Sequence, residues 1–295
     1  VVNTAKAAGV KLILSFVAAP AWSRPGDTNM SVAGPPANPD DLANFIGGWV
    51  ARHKGKINAI EVLNEQNLWY EWGGEGKPNA ADYMRYLKAS FAKIKSIDPG
   101  VIVISGGLTP TGAPMPWAIE DTTYLEQLYQ AGLRNYSDVV GVHANVWDNM
   151  PDDTPSYKAN PAWYAAKGLN PASKDYGHHM SFYYLRFTQL RDIMVKYGDA
   201  GKEIWFTEFG WPSSADPYSE YAYAKNINEQ DQADFLVRAF AIAKAKGYVG
   251  VMAVWDLNYA SSAEPNDRYA KLAFSVLRRD WSPRPAYGAL QNMPK

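Results

Sequence analysis

Strand-like and helix-like stretches alternate along this chain, and that alternation predicts an α/β fold with a parallel sheet and helical crossovers. Three observations support it. Each strand candidate is followed by a helix candidate, with no run of hairpins. Segments that follow strands are long and aromatic, whereas those that follow helices are short, which favours a barrel with its site at the C-terminal strand ends. Two strand candidates close on a glutamate: Ile57-Asn-Ala-Ile-Glu-Val-Leu-Asn-Glu-Gln-Asn67 and Glu203-Ile-Trp-Phe-Thr-Glu-Phe-Gly-Trp-Pro212. The expectation is a (β/α)8 TIM-type barrel over residues 1–295 as one domain. Within these residues the first two strands and the helix between them are expected to be missing.

The elements follow in order. Residues 1–9 read as the end of a helix capped by Gly9. Residues 11–17 are a continuous apolar run, expected as a strand covered on both sides. A Pro/Gly-rich loop reaches Pro39, and Asp40 or Asp41 is expected to cap a helix carrying Leu42, Phe45, Ile46 and Trp49 on one stripe. Residues 57–64 form the next strand, with an aromatic loop, Trp69-Tyr-Glu-Trp72, behind it. Asn79 opens a helix bearing Tyr83, Leu87, Phe91 and Ile94. Residues 101–105 form a strand leaving through Gly106-Gly107. A helix spans 124–133 and a strand 139–146, passing through His143. Residues 147–176, rich in Pro, Asp and Asn, read as an elaborated loop. A helix over 182–197, a strand over 204–208, a helix over 230–246, a last strand over 248–255 and a short closing helix complete the chain.

Six strands do not close an eight-stranded barrel. Because the chain opens in a helix, the absent units are expected to be the first two strands and the helix between them. An open barrel would leave the strands at Leu12 and Val251 with unpaired edges. A doubly wound sheet is the alternative, but no Gly-rich phosphate loop follows any strand.

The composition narrows the chemistry. Apolar residues make up 47% of 295 residues, enough for a sizeable core. A net charge of −1 gives no electrostatic reason to expect nucleic acid or an anionic membrane surface. No apolar run approaches a membrane span. Cysteine is absent, which removes disulfides and thiolate metal sites and fits a secreted or periplasmic protein. The 11 Trp and 19 Tyr offer flat apolar faces with a polar handle, suited to the C–H faces of sugar rings.

A carboxylate that ends an apolar strand face is costly to bury without a purpose, and Glu208 shares its face with Ile204 and Phe206. The Asn64-Glu65 pair and Thr207-Glu208-Phe-Gly-Trp211 resemble the two strand-end motifs of retaining glycoside hydrolases of clan A. The Pro20-Ala-Trp22 exit, His143, Trp255 and the Trp-Ser-Pro-Arg-Pro-Ala-Tyr287 tail also resemble that clan, so the likeness spans the chain. Asn-Glu-Gln-Asn67 is closest to the Asn-Glu-Pro-Asn motif of family 39 and its bacterial polysaccharide-cleaving relatives, with Gln66 in place of the proline.

The resemblance implies Glu65 as general acid/base, Glu208 as nucleophile, Asn64 as a hydrogen-bond partner of the sugar 2-hydroxyl and Trp255 as a stacking platform. It also implies an arginine behind the nucleophile, on a strand this sequence does not contain. The chemistry calls for such a pair: a retaining mechanism needs two carboxyls about 5–5.5 Å apart, one protonated and one ionised. The implied activity is cleavage of β-glycosidic bonds in an oligo- or polysaccharide by double displacement, endo-acting, with no cofactor and no metal. The alternative is a catalytically impaired carbohydrate-binding protein on the same scaffold. A metal-dependent hydrolase lacks the histidines it needs, since the chain has four.

Other residues are weighed individually. Glu61, two residues deeper than Leu63 on the face of Glu65, is expected in a buried ion pair. His143, with Asn145 on its face and Trp147 beyond, is expected to bind substrate. Trp22, Trp69, Trp72, Trp147 and Trp211 lie on strand exits, and two or three of them are expected on sugar. Trp49 and Trp117 are expected to pack, Glu71 and Glu75 to face solvent, and His178-His179 to be loop or cap residues.

Overall fold

The structure is a computed structural model, which describes residues 1–170, 179–217, 219–259 and 270–294. Six strands lie where the apolar runs place them: β1 (Ile13–Phe16), β2 (Ala59–Val62), β3 (Ile102–Ser105), β4 (Val140–Asn145), β5 (Ile204–Gly210) and β6 (Val249–Val254). They pair as two three-stranded sheets, β1-β2-β3 and β4-β5-β6. The pairs β1–β2 and β2–β3 are parallel, Leu14 opposing Ile60 and Ile60 opposing Val103. Isolated parallel bridges, Ile104 to Val139 and Leu108 to Val142, carry the order on towards β4. The expected barrel order is thus met as two three-stranded runs, not as one closed sheet.

The chain divides into two compact units, residues 1–142 with 190–205, and residues 143–189 with 206–295. In the first unit, β2 is buried along its whole length, as a strand covered on both faces must be. The expectation of equal cover for β1 fails: it ends its sheet, and Val17 just beyond it is exposed. Helices α1 (Val2–Ala7), α2 (Pro39–Arg52), α3 (Ala80–Ile97) and α4 (Asp121–Gln130) surround this sheet's residues in sequence. The α2 cap is not an aspartate: the Asn38 side chain accepts from the Asp40 N–H, and Pro39 takes the first helical position, where its missing N–H costs nothing. Asn79 caps α3 as expected, accepting from the Asp82 N–H. Ile46, Ile60, Leu87, Ile94 and Val103 form the centre of this core.

The second unit has an aromatic core. Tyr184, Phe187, Phe206, Phe209 and Trp211 are all buried, with ring centroids 5.2–6.4 Å apart in tilted, edge-on and stacked pairs, the offset arrangements that aromatic quadrupoles favour. The long segment after β4 is more regular than a loop, because α5 (Pro161–Ala166) forms within it, capped by Asn160. The helix expected over 182–197 begins as a 3-10 turn, Tyr184–Arg186, and becomes α6 (Phe187–Lys196). α7 (Glu229–Lys246) starts one residue earlier than expected, with a reciprocal capping box between Asn228 and Asp231. α8 (Ala270–Phe274) and α9 (Pro285–Asn292) follow. Among the described residues no helix is long and apolar enough to cross a membrane.

Candidate active site

Glu65 belongs to the first unit and Glu208 to the second. Each stands at the C-terminal end of a strand, on a differently built seat.

Glu65 follows β2 through a turn in which Leu63 (φ 64°) and Glu65 itself (φ 41°) are left-handed, a conformation that side chains with a Cβ rarely adopt. Ala18 beyond β1 and Trp147 beyond β4 share this conformation, as does Trp281 in the turn before α9, so four of the five such residues among those described lie at strand exits, where functional sites commonly hold strain. The Glu65 N–H donates to the Gly107 carbonyl (3.1 Å), and its carbonyl accepts from the Leu68 N–H (2.9 Å). Gln66 is fully buried, and its amide donates to the Gly106 carbonyl (3.0 Å). Gly106 must be glycine: a Cβ there would stand 2.3 Å from the Gln66 amide oxygen and 2.9 Å from the Val62 and Leu63 carbonyls. Asn67, also buried, ties the next loop by donating to the Thr109 (2.9 Å) and Ile119 (3.0 Å) carbonyls. Beneath the turn, the Tyr83 hydroxyl donates to the Val62 carbonyl (3.0 Å) and accepts from the Gly106 N–H (2.7 Å).

Glu61 corrects an expectation. It is buried, but its partners are the Ser15 hydroxyl and the Gly107 N–H (2.9 Å) rather than a cation. Since Gly107 also receives the Glu65 N–H, Glu61 holds the backbone that holds Glu65. Asn64 is half-buried, and its side-chain amide has no hydrogen-bond partner among the described residues. It is thus available to a ligand.

In the second unit Glu208 lies near the end of β5 with its side chain 27% exposed. His143, on β4, approaches it with Nδ1 at 3.8 Å from Oε2, while Nε2 stands 3.1 Å from the Thr207 hydroxyl. If Thr207 donates to Nε2, the proton sits on Nδ1 and points its positive end towards the carboxylate; at 3.8 Å this is an electrostatic contact and not a hydrogen bond. His143 is itself closed to solvent. Expected to bind substrate, it stands here beside Glu208 with no exposed side-chain surface.

The aromatic candidates separate by exposure. Trp211 is 1% exposed, with its indole N–H donating to the Asn149 carbonyl (2.7 Å); it is core, contrary to expectation, because its ring packs against Tyr184 and Phe235. Trp72 is likewise buried against Tyr83 and Tyr86. Trp147 is half-buried and gives one face to Tyr223, stacked at 4.5 Å. Trp255 is half-buried, with the Lys271 ammonium 5.6 Å from its ring. Trp22 is 87% exposed on the rim of a cleft of about 320 Å³ lined by Phe16, Leu42, Phe45 and Leu63. Trp69 is half-buried, whereas Trp117, expected to pack, is 42% exposed. Glu71 is half-buried and Glu75 exposed. The Asn145 side chain and the whole of His178 lie outside the described residues; His179 accepts the Ser181 N–H at Nδ1 (3.2 Å), as a turn residue would.

Sequence reasoning missed Gln66, Asn67, Tyr83 and Thr207 as supports. The Asn-Glu-Gln-Asn run carried the first two in plain view, but nothing local marks Tyr83 as the partner of a loop lying beyond its own helix.

No protein-family profile matches the chain, and neither does any curated protein. Solved structures do. A family 39 glycoside hydrolase from Bacteroides cellulosilyticus is 18% identical with a TM-score of 0.60, covering 98% of this chain and 51% of its own. A monomeric beta-xylosidase from Caulobacter crescentus is 20% identical with a TM-score of 0.61, covering 97% and 53%. A fungal beta-1,4-galactanase is 19% identical with a TM-score of 0.61, covering 99% of this chain and 80% of its own. The chain spans about half the length of the family 39 structure and of the xylosidase. At this identity the likeness carries the fold, and the fold is the one on which these glycoside hydrolases are built.

Proposed function

We propose that the chain is a glycosidase that cleaves β-glycosidic bonds by double displacement, with Glu65 as general acid/base and Glu208 as nucleophile. One observation carries the reading: both strand-end glutamates are partly open to solvent, and each has support behind it, Glu65 a strained turn and Glu208 the buried His143, itself bonded to Thr207. The fold shared with solved glycoside hydrolases supports it. Double displacement requires the two carboxyls to meet at about 5–5.5 Å. Glu65 then donates a proton to the departing oxygen while Glu208 attacks the anomeric carbon; in the second half-reaction Glu65 takes the proton of the incoming water. Asn64 presents its open amide to the sugar, and Trp255 offers a ring face to its C–H side. The substrate is an oligo- or polysaccharide cut internally, a reading supported by the number of half-exposed aromatics at strand exits.

Stereochemistry tests the mechanism. The first product released from a β-glycoside should be the β-anomer; an α-anomer would end the double-displacement reading. Glu208→Gln should remove turnover by several orders of magnitude with an unchanged melt. Glu65→Gln should lower kcat/KM by about 10²–10⁴-fold on unactivated glycosides and far less on aryl glycosides with good leaving groups, whose first step needs no acid. Equal loss on both substrate types would refute the acid role.

A further inference from the structure

We propose that Trp117, Trp69 and Tyr70 form a binding surface for the departing part of a neutral polysaccharide. The assignment of that surface to the leaving side rests on the reading of Glu65 as the acid, because the acid protonates the leaving oxygen and the departing sugars therefore lie on its side.

The geometry is as follows. Trp69 sits between the other two rings, 5.7 Å from Trp117 at 73° and 5.9 Å from Tyr70 at 85°. Trp117 and Tyr70 are each 42% exposed, and Met115 beside them is exposed as well. The rings stand on a rigid frame: the loops after β2 and β3 are laced by Trp69 N–H to Trp117 carbonyl (2.8 Å), Gly76 N–H to Pro116 carbonyl (2.8 Å) and Ile119 N–H to Asn67 carbonyl (2.9 Å), with an antiparallel bridge between Leu68 and Ala118. The buried Asn67 side chain fastens the base of the same pair of loops. The ridge is continuous with the acid, since the Leu68 N–H bonds the Glu65 carbonyl and the Glu65 N–H bonds Gly107 at the root of the second loop.

A rigidly held, contiguous and exposed aromatic surface marks an interaction site. Flat rings with polar edges match the C–H faces and hydroxyl rims of sugars. The exposed charge is acidic: Glu75 stands open on the first loop, and the nearby Lys77 is paired with Asp27. A uronate chain would be repelled, so the ligand class is a neutral glycan.

The test is native electrophoresis of the full chain carrying Glu208→Gln, in gels containing soluble β-1,3-glucan, β-1,4-xylan, β-1,4-galactan or polygalacturonate. At least one neutral glycan should retard the protein and polygalacturonate should not. Trp117→Ala and Tyr70→Ala should each weaken that retardation about tenfold, and Trp117→Phe should keep most of it, which separates lost contact from lost folding. No retardation by any neutral glycan, equal retardation of the parent and both alanine variants, or preference for polygalacturonate overturns the proposal. The catalytic reading is judged separately from products of the unmutated chain. Binding without turnover ends that reading and leaves the ridge; turnover with binding indifferent to Trp117 and Tyr70 ends the ridge and leaves the reading.

Discussion

Tyr83→Phe removes one oxygen from beneath the Glu65 turn and nothing else. The ring keeps its volume and its edge contact with Trp72 at 5.8 Å. What goes is a hydroxyl that accepts the Gly106 N–H at 2.7 Å and donates to the Val62 carbonyl at 3.0 Å, in a place with no exposed surface. Both partners stay buried and unpaired, at about 1–3 kcal/mol each, so the expected loss is about 2–4 kcal/mol after some relaxation. Tyr124 supplies the control. It is as deeply buried, but its hydroxyl has no partner among the described residues, so Tyr124→Phe removes a desolvated polar atom and should be neutral or stabilising by about 1 kcal/mol. Denaturant midpoints at matched slopes read both changes. Amide exchange at Gly106 should quicken in Tyr83→Phe. Equal effects of the two variants, in sign and size, would refute the claim that satisfied hydrogen bonds rather than ring packing hold the β2 and β3 exits together.

Trp211→Phe should cost about 2–4 kcal/mol through lost volume and the orphaned Asn149 carbonyl while leaving KM unchanged; a raised KM with full stability would return Trp211 to the binding surface. Burial pushes the Tyr86 and Tyr183 hydroxyls up to about 12, so the unfolded chain loses those protons first. Their contribution is fully present below pH 10 and is lost as pH rises towards about 12; spectrophotometric titration should show these tyrosines ionising only with unfolding, and free titration near pH 10 in the native chain would contradict it. Glu61→Ala should lower kcat more than it raises KM, because it leaves the Gly107 N–H unpaired and loosens the backbone that receives Glu65; stability and kcat both at parent level would dismiss Glu61 as a support.

The strands were legible because their signal is local. Apolar runs around Ile60, Ile102, Val140, Phe206 and Val251 are short and flanked by turn residues, which favours strand over buried helix, and each is a strand. The two glutamates were legible for the same reason, as charges ending apolar faces. Side-chain exposure was not. Trp117 and Trp211 occupy similar places in the sequence, beside prolines at strand exits, yet one is open and the other is core. Their fates depend on what the partner segments bring, a backbone lattice for Trp117 and the Asn149 carbonyl with an aromatic core for Trp211. Glu61 was misread by reasoning that a buried carboxylate needs a cation, when a hydroxyl and a backbone N–H satisfied it.

The substitution of Gln66 for the proline of the resembling motif shows how the Glu65 turn is paid for. Leu63 and Glu65 each sit in the left-handed region at about 1–2 kcal/mol. Proline could limit such a turn through its ring alone. This chain instead uses a buried amide bonded to the Gly106 carbonyl, at the cost of an amide oxygen left without a partner among the described residues. That exchange is weak taken singly, since a hydrogen bond contributes about 0.5–1.5 kcal/mol and a buried unpaired acceptor costs as much or more. It holds only because Tyr83 and Glu61 tie the neighbouring Val62, Gly106 and Gly107 backbone while Asn67 fastens the loop beyond. The turn is therefore a collective structure, and changing Gln66 together with Glu61 should cost more than the sum of the two single changes.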